Sequence, residues 1–77
     1  MRVFILMDKR ALQAEEGLWG ALVLQATDKA VAWSKCKKEV PVLYYDAGSI
    51  LFDDRQKEAI INTPIRGEFI LVMREVI

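Results

Sequence analysis

Aspartates, one cysteine and a short lysine cluster are the residues in this chain with the means to do chemistry. Asp8 closes the apolar run "RVFILM", Asp46 follows "VLYY", and Asp53 and Asp54 are adjacent in "LFDDR". If the runs before Asp8 and Asp46 lay parallel in one sheet, their carboxylates would meet at a sheet end. Such a pair could hold Mg²⁺, which prefers carboxylates and water. Aspartates at element ends also serve turns and helix caps, and that use is the expected one. Asp8 and Asp46 are weak metal candidates, and no cofactor is expected.

Cys36 lies in "SKCKKE" beside Lys35, Lys37 and Lys38. Neighbouring cations lower a thiol's pKa and favour the reactive thiolate, although an incidental, half-buried thiol is the expected state. A lone cysteine builds neither a disulfide nor a thiolate zinc site within one chain, and it suits a reducing compartment. Histidine is absent, which removes the usual near-neutral proton shuttle and every histidine-dependent triad. No catalytic residue is assigned, and enzymatic activity is not the leading expectation.

The same lysines, Lys35, Lys37 and Lys38, are the best nucleic-acid feature of the chain, with Trp33, Tyr44 and Tyr45 available for base stacking. The run is short, Glu39 follows it at once, and the isoelectric point is near 6.2. "EEGLWG" places Gly17 and Gly20 after an apolar run but lacks both the dinucleotide fingerprint and the Lys–Ser/Thr ending of a phosphate loop. Trp19, beside these glycines, could anchor a partner surface, although core packing is its more ordinary use.

These groups need elements to hold them. Seventy-seven residues with no net charge, 53% hydrophobic and 29% charged, describe one small folded domain over residues 1–77. A chain of this size buries only about 60–65% of its extended surface, so its stability is marginal and added burial through association is useful. Residues 1–38 carry seven Lys/Arg against four Asp/Glu, and residues 39–77 the reverse. Opposed halves could orient an encounter, but folding can interleave them, and an ordinary mixed surface is the expected reading. The apolar stretch in "MRVFILMDKR" is shorter than a signal-peptide core and no window approaches a membrane span; a cytoplasmic location is expected.

Residues 2–7 and the ending "GEFILVMREVI" read as strands apolar on both faces. Phe4 and Leu6 alternate with Val3, Ile5 and Met7; Phe69, Leu71 and Met73 alternate with Ile70 and Val72. Residues 11–38 admit two readings. One is helical, with Leu18, Leu22, Ala26, Ala30 and Trp33 in a stripe widened by Trp19 and Val23, and with Asp28 capping a helix from Lys29 to Lys38. The rival is a hairpin, "GALVLQA" against "AVAWSK", turning at Thr27–Lys29. The alanine content favours the helical reading, as two helices with a hinge near 17–20 or 26–28.

Pro41 biases Val40 toward an extended backbone, so residues 42–52 read as a hairpin turning at "DAG". Asp53, with Gln56 three residues on, reads as the capping box of a two-turn helix, ended by Asn62–Thr63–Pro64. The expected fold is therefore α+β, a small three- to four-stranded mixed sheet packed with two or three helices in the order β-α(α)-β-β-α-β.

Helices this few do not cover both faces of the sheet well. Either the helices straddle the sheet, one on each side, or a second subunit supplies the missing layer. Self-association through a sheet face or edge, as a homodimer, is the favoured expectation, with Trp19, Tyr45, Phe69, Ile70, Leu71 and Val72 as candidate interface residues. The functional expectation is a soluble protein-interaction or regulatory module. The alternatives are a nucleic-acid-associated protein using the lysine run and a non-catalytic accessory subunit of a larger complex.

Overall fold

A computed structural model of the chain describes residues 1–13 and 20–76. The two-sided apolar runs form β1 (Arg2–Asp8) and β5 (Gly67–Glu75). They pair antiparallel in the middle of the sheet, with Leu6 opposite Met73 and Asp8 opposite Leu71. The other elements are α1 (Lys9–Gln13), β2 (Leu22–Ala26), α2 (Lys29–Leu43), β3 (Ser49–Asp53) and β4 (Glu58–Thr63). The strand order is β2-β1-β5-β4-β3, and every neighbouring pair is antiparallel. The fold is α+β with an open five-stranded antiparallel sheet and, among the described residues, two helices. The expected mixed sheet of three or four strands is thereby corrected.

Register sorts the side chains into two faces. On one, Phe4, Leu6, Leu24, Ala26, Ala59, Ile61, Leu71 and Met73 are buried against Ala32, Trp33, Cys36 and Val40 of α2. Ala32, Cys36 and Val40 recur every four residues, which places them in one row along the helix. Asp28 begins α2 as its N-cap: its backbone is extended, and its carboxylate accepts from the Val31 N–H at 2.9 Å.

On the opposite face Met7 and Ile5 are buried, Val3, Ile60, Ile70 and Val72 are half-buried, and Val23 and Leu51 are 62% and 60% exposed. Helix α1 packs beside β1 and β5, and Lys9 reaches Glu58 on this face at 3.0 Å. Gly20 presses so closely that a Cβ there would lie 2.4 Å from Ile5 Cγ2. This face is therefore buried over β1 and open toward β3.

Three local expectations fail. Residues 22–26 are a strand within what reads as helix, because Leu22, Leu24 and Ala26 alternate with Val23 and Gln25, and pairing with β1 rewards that alternation. The rival hairpin is right for this arm but wrong for "AVAWSK", which lies in α2. Leu18 and Trp19 fall outside the described residues.

The hairpin over 42–52 is absent. Pro41 sits inside α2, which runs on to Leu43, and only Ser49–Asp53 is strand. Near a helix end, the missing proline N–H forfeits one bond while the packed face of Val40 holds the turn. The helix expected over 54–61 is instead a turn followed by β4. There Ala59 and Ile61 are fully buried on the α2 face, and Ile60 points to the other.

Candidate functional site

Two connections converge at one end of the sheet. The first is the end of α2, where Tyr44 forms the C-cap and its N–H reaches the Val40 carbonyl at 3.1 Å; the Ala47 N–H then returns to the Tyr44 carbonyl at 2.9 Å. The second is the β4–β5 turn. Thr63 Oγ1 accepts the Arg66 N–H at 3.0 Å and donates to the Gly67 carbonyl at 3.1 Å. Gly67 has φ +73°, a left-handed conformation that costs glycine little and lets the chain enter β5.

Between them lies a cleft of about 530 Å³. Tyr44 and Phe69 form its floor, their ring centroids 5.5 Å apart and tilted by 57°. Leu43, Tyr45 and Ile65 line its mouth. Tyr45 is 82% exposed and Ile65 95%, so the turn and the helix end present apolar side chains outward. Arg66 lies on the rim, and among the described residues its guanidinium makes no ion pair.

A smaller cavity of about 220 Å³ shares Tyr44, Arg66 and Phe69 with this cleft and continues to Asp8 and Arg10. The Arg10 guanidinium donates to Asp8 Oδ2 at 3.1 Å and its backbone N–H to Oδ1 at 2.8 Å. The Arg10 side-chain hydrogen bond holds the Asp8 carboxyl below the usual range despite partial burial. Burial, reinforced by Asp8 and partly offset by Arg66, raises the Tyr44 pKa, so its phenol remains a neutral hydroxyl at physiological pH.

The sequence candidates are distributed as follows. Tyr45 and Phe69 both belong to the cleft. Leu71 is buried in the core, whereas Ile70 and Val72 lie half-buried on the opposite face. Trp19 lies outside the described residues. Asp46 does not end a strand: it sits in the turn after α2 and lines the cleft, while Asp8 faces the adjoining cavity and is paired with Arg10. No group of three or more His, Cys, Asp or Glu among the described residues is placed to hold a metal.

Of the lysines, Lys35 donates to the Gln25 carbonyl at 2.9 Å and Lys37 bridges to Asp54 at 3.0 Å, while Lys38 is exposed. Cys36 is fully buried, and burial, with a smaller contribution from Glu39, pushes its thiol up to about 11, opposite to thiolate activation.

Leu43, Ile65 and Arg66 are the cleft residues that sequence reasoning missed. For Ile65 and Arg66 the available signal was "NTPIRG", which places a bare isoleucine at the tip of an otherwise polar turn; Leu43 had none, because its stretch reads as strand. No family model matches the chain, and no curated protein or solved structure does. Among the described residues, no helix is long and apolar enough to cross a membrane.

Proposed function

We propose that this protein is a protein-interaction module whose cleft between the end of α2 and the β4–β5 turn receives an apolar side chain of a partner. The observation that carries this reading is the gathering of exposed Leu43, Tyr45 and Ile65 around one concavity floored by Tyr44 and Phe69. Single exposed hydrophobic residues are ordinary, but a contiguous apolar patch marks an interaction surface. The volume falls within the about 300–1,000 Å³ of ligand pockets. Tyrosine and arginine are the types enriched where binding energy concentrates, and both line the cleft. The hydroxyl of Thr63 is already engaged in its own turn, leaving Arg66 and the two tyrosines to orient a guest.

Selection of linear peptides from a random displayed library against the immobilised protein tests this. Enriched peptides are expected to share a large apolar residue and to bind in the micromolar range. The double substitution Tyr45→Ala, Ile65→Ala should weaken them by about tenfold or more, and Lys38→Ala should leave them unchanged. No enrichment, or binding indifferent to the double substitution, overturns the reading. A preference for polynucleotide over peptide, lost with Lys38→Ala and with rising salt, would transfer the function to the lysine run.

A further inference from the structure

We infer that the outer edge of β3 pairs antiparallel with β3 of a second copy of this chain, joining two five-stranded sheets into one of ten strands. This surface is separate from the cleft, and the inference does not depend on what the cleft binds. It begins with hydrogen-bonding groups. Strand β3 ends the sheet, and among the described residues no strand pairs with its outer side. An outer edge presents main-chain N–H and C=O groups that another strand satisfies.

The two edges of the sheet are treated differently. Natural edge strands are commonly blunted by lysine, proline or a bulge. On β2, the other edge, Lys35 sits on the Gln25 carbonyl at 2.9 Å, and α2 packs alongside. On β3, "SILFD" holds no lysine, arginine or proline, and its register with β4 runs unbroken from Ser49 to Asp53. The edge is short, but its pairing is unbroken and it carries apolar side chains.

The residue pattern selects a second copy as the occupant. Antiparallel pairing centred on Leu51 sets Leu51 against the partner's Leu51. Ile50 then faces the partner's Phe52, and Ser49 faces the partner's Asp53. Facing residues share a sheet face, so each apolar side chain meets an apolar one, and the serine hydroxyl meets a carboxylate. Asp53 Oδ1 already accepts the Arg55 and Gln56 N–H groups at 3.0 Å, which leaves Oδ2 for that hydroxyl. On the open face, Leu51 pairs with Ile60 and Ile60 with Ile70. A two-fold at Leu51 extends this row into a continuous apolar stripe across both copies.

Five residues of edge bury less than the about 800 Å² per partner of a standard interface. The expected dimer is correspondingly weak, half-formed between roughly 1 and 100 µM. Facing residues in an antiparallel pair have Cα atoms about 4.5–5.5 Å apart, within the about 4.4–6.8 Å that a disulfide spans. Two copies of residue 49 would lie about 13 Å apart, at about 3.3 Å per residue.

The test is sedimentation equilibrium from about 1 to 500 µM, followed by mild oxidation of cysteine variants of the full chain in a Cys36→Ala background. Leu51 is largely exposed, so Leu51→Cys is expected to fold. It should cross-link at least tenfold faster than Val23→Cys, which is equally exposed on the other edge. Ser49→Cys should cross-link in a mixture with Asp53→Cys but not alone, and Leu51→Lys should weaken association at least tenfold. A single 8.8 kDa species at every concentration overturns the inference. So does a dimer in which Leu51→Cys cross-links no faster than Val23→Cys.

Discussion

Trp33 donates its indole N–H to the Asp54 carboxylate at 2.7 Å, and Lys37, one helical turn further along α2, holds the same carboxylate at 3.0 Å. The Trp33 ring is otherwise buried and meets Phe52 of β3 edge-on at 6.0 Å. A large apolar side chain thus packs in the core while its one polar atom finds a partner at the surface, as buried tryptophan requires. The arrangement ties α2 to the β3–β4 connection.

The indole hydrogen bond, then the Lys37 bond, lowers the Asp54 pKa below the ordinary aspartate value. A depressed carboxyl contributes stability above its unfolded pKa and loses it as pH falls through the folded one. In a Trp19→Phe background, Trp33 fluorescence should therefore titrate with an acid midpoint below that of a free aspartate, and Asp54→Asn should abolish the midpoint. Trp33→Ala should cost about 3–5 kcal/mol in a urea melt; an unchanged melt would mean the ring does not anchor the helix.

Cys36 predicts the opposite pH dependence. Its folded pKa is raised from 9.0 to about 11 because burial disfavours the thiolate. The folded state therefore retains a proton that the unfolded chain releases. Its contribution is fully present below about pH 9 and is lost as pH rises through about 11. The loss over that window is on the order of 2 kcal/mol, and Cys36→Ala should flatten it. The raised phenol of Tyr44 acts in the same direction and will persist in that variant. Iodoacetamide at pH 8 should label Cys36 only under denaturing conditions; rapid native labelling would contradict its burial.

Gly20 has no room for a side chain. A Cβ there would lie 2.4 Å from Ile5 Cγ2 and 2.9 Å from the Leu6 carbonyl oxygen, which already accepts the Ala21 N–H at 2.8 Å. Gly20→Ala should destabilise by about 1–3 kcal/mol, the usual range for an overpacked contact. Gly48→Ala is the control, since its nearest neighbour would be the Asn62 carbonyl oxygen at an ordinary 3.5 Å. Equal denaturation midpoints for the two variants would show that the chain yields at Gly20 without cost.

What could be read from the sequence follows from how locally each element is determined. The terminal strands were legible because their apolar alternation needs no knowledge of a neighbour, and Asp28 was legible as a cap because a carboxylate followed by helix formers satisfies the first free N–H groups locally. Residues 22–26 were not, because Leu22, Ala26 and Ala30 satisfy a helical period as well as Leu22, Leu24 and Ala26 satisfy a strand period. Only pairing with β1 decides between them. Pro41 misled because its cost depends on where the helix ends, and packing of Val40 sets that point. The cleft was half legible. Tyr45 and Phe69 were legible as candidate interface residues, Phe69 through its run apolar on both faces, but their meeting with Ile65 and Arg66 required knowing that 58–63 is a strand. Once β4 replaces the expected helix, its turn into β5 lies beside the end of α2.

The β3–β4 connection shows how one local signal serves two structures, and it can be tested directly. Asp53 accepts from the Arg55 and Gln56 N–H groups as a helix cap would, yet the chain reverses because Lys57 adopts φ 58°. Left-handed backbone costs a non-glycine residue roughly 1–2 kcal/mol. Lys57→Gly should therefore stabilise the fold by about 1 kcal/mol, since part of the relief is offset by the greater freedom of glycine in the unfolded chain. Asp53→Ala should destabilise by a similar amount, about 1 kcal/mol, as loss of a cap does. The two substitutions act on one turn, so a double-mutant cycle by urea denaturation should also show coupling. If Lys57→Gly instead destabilised the protein, the left-handed residue would not be the point at which the helix signal of Asp53 is cut short.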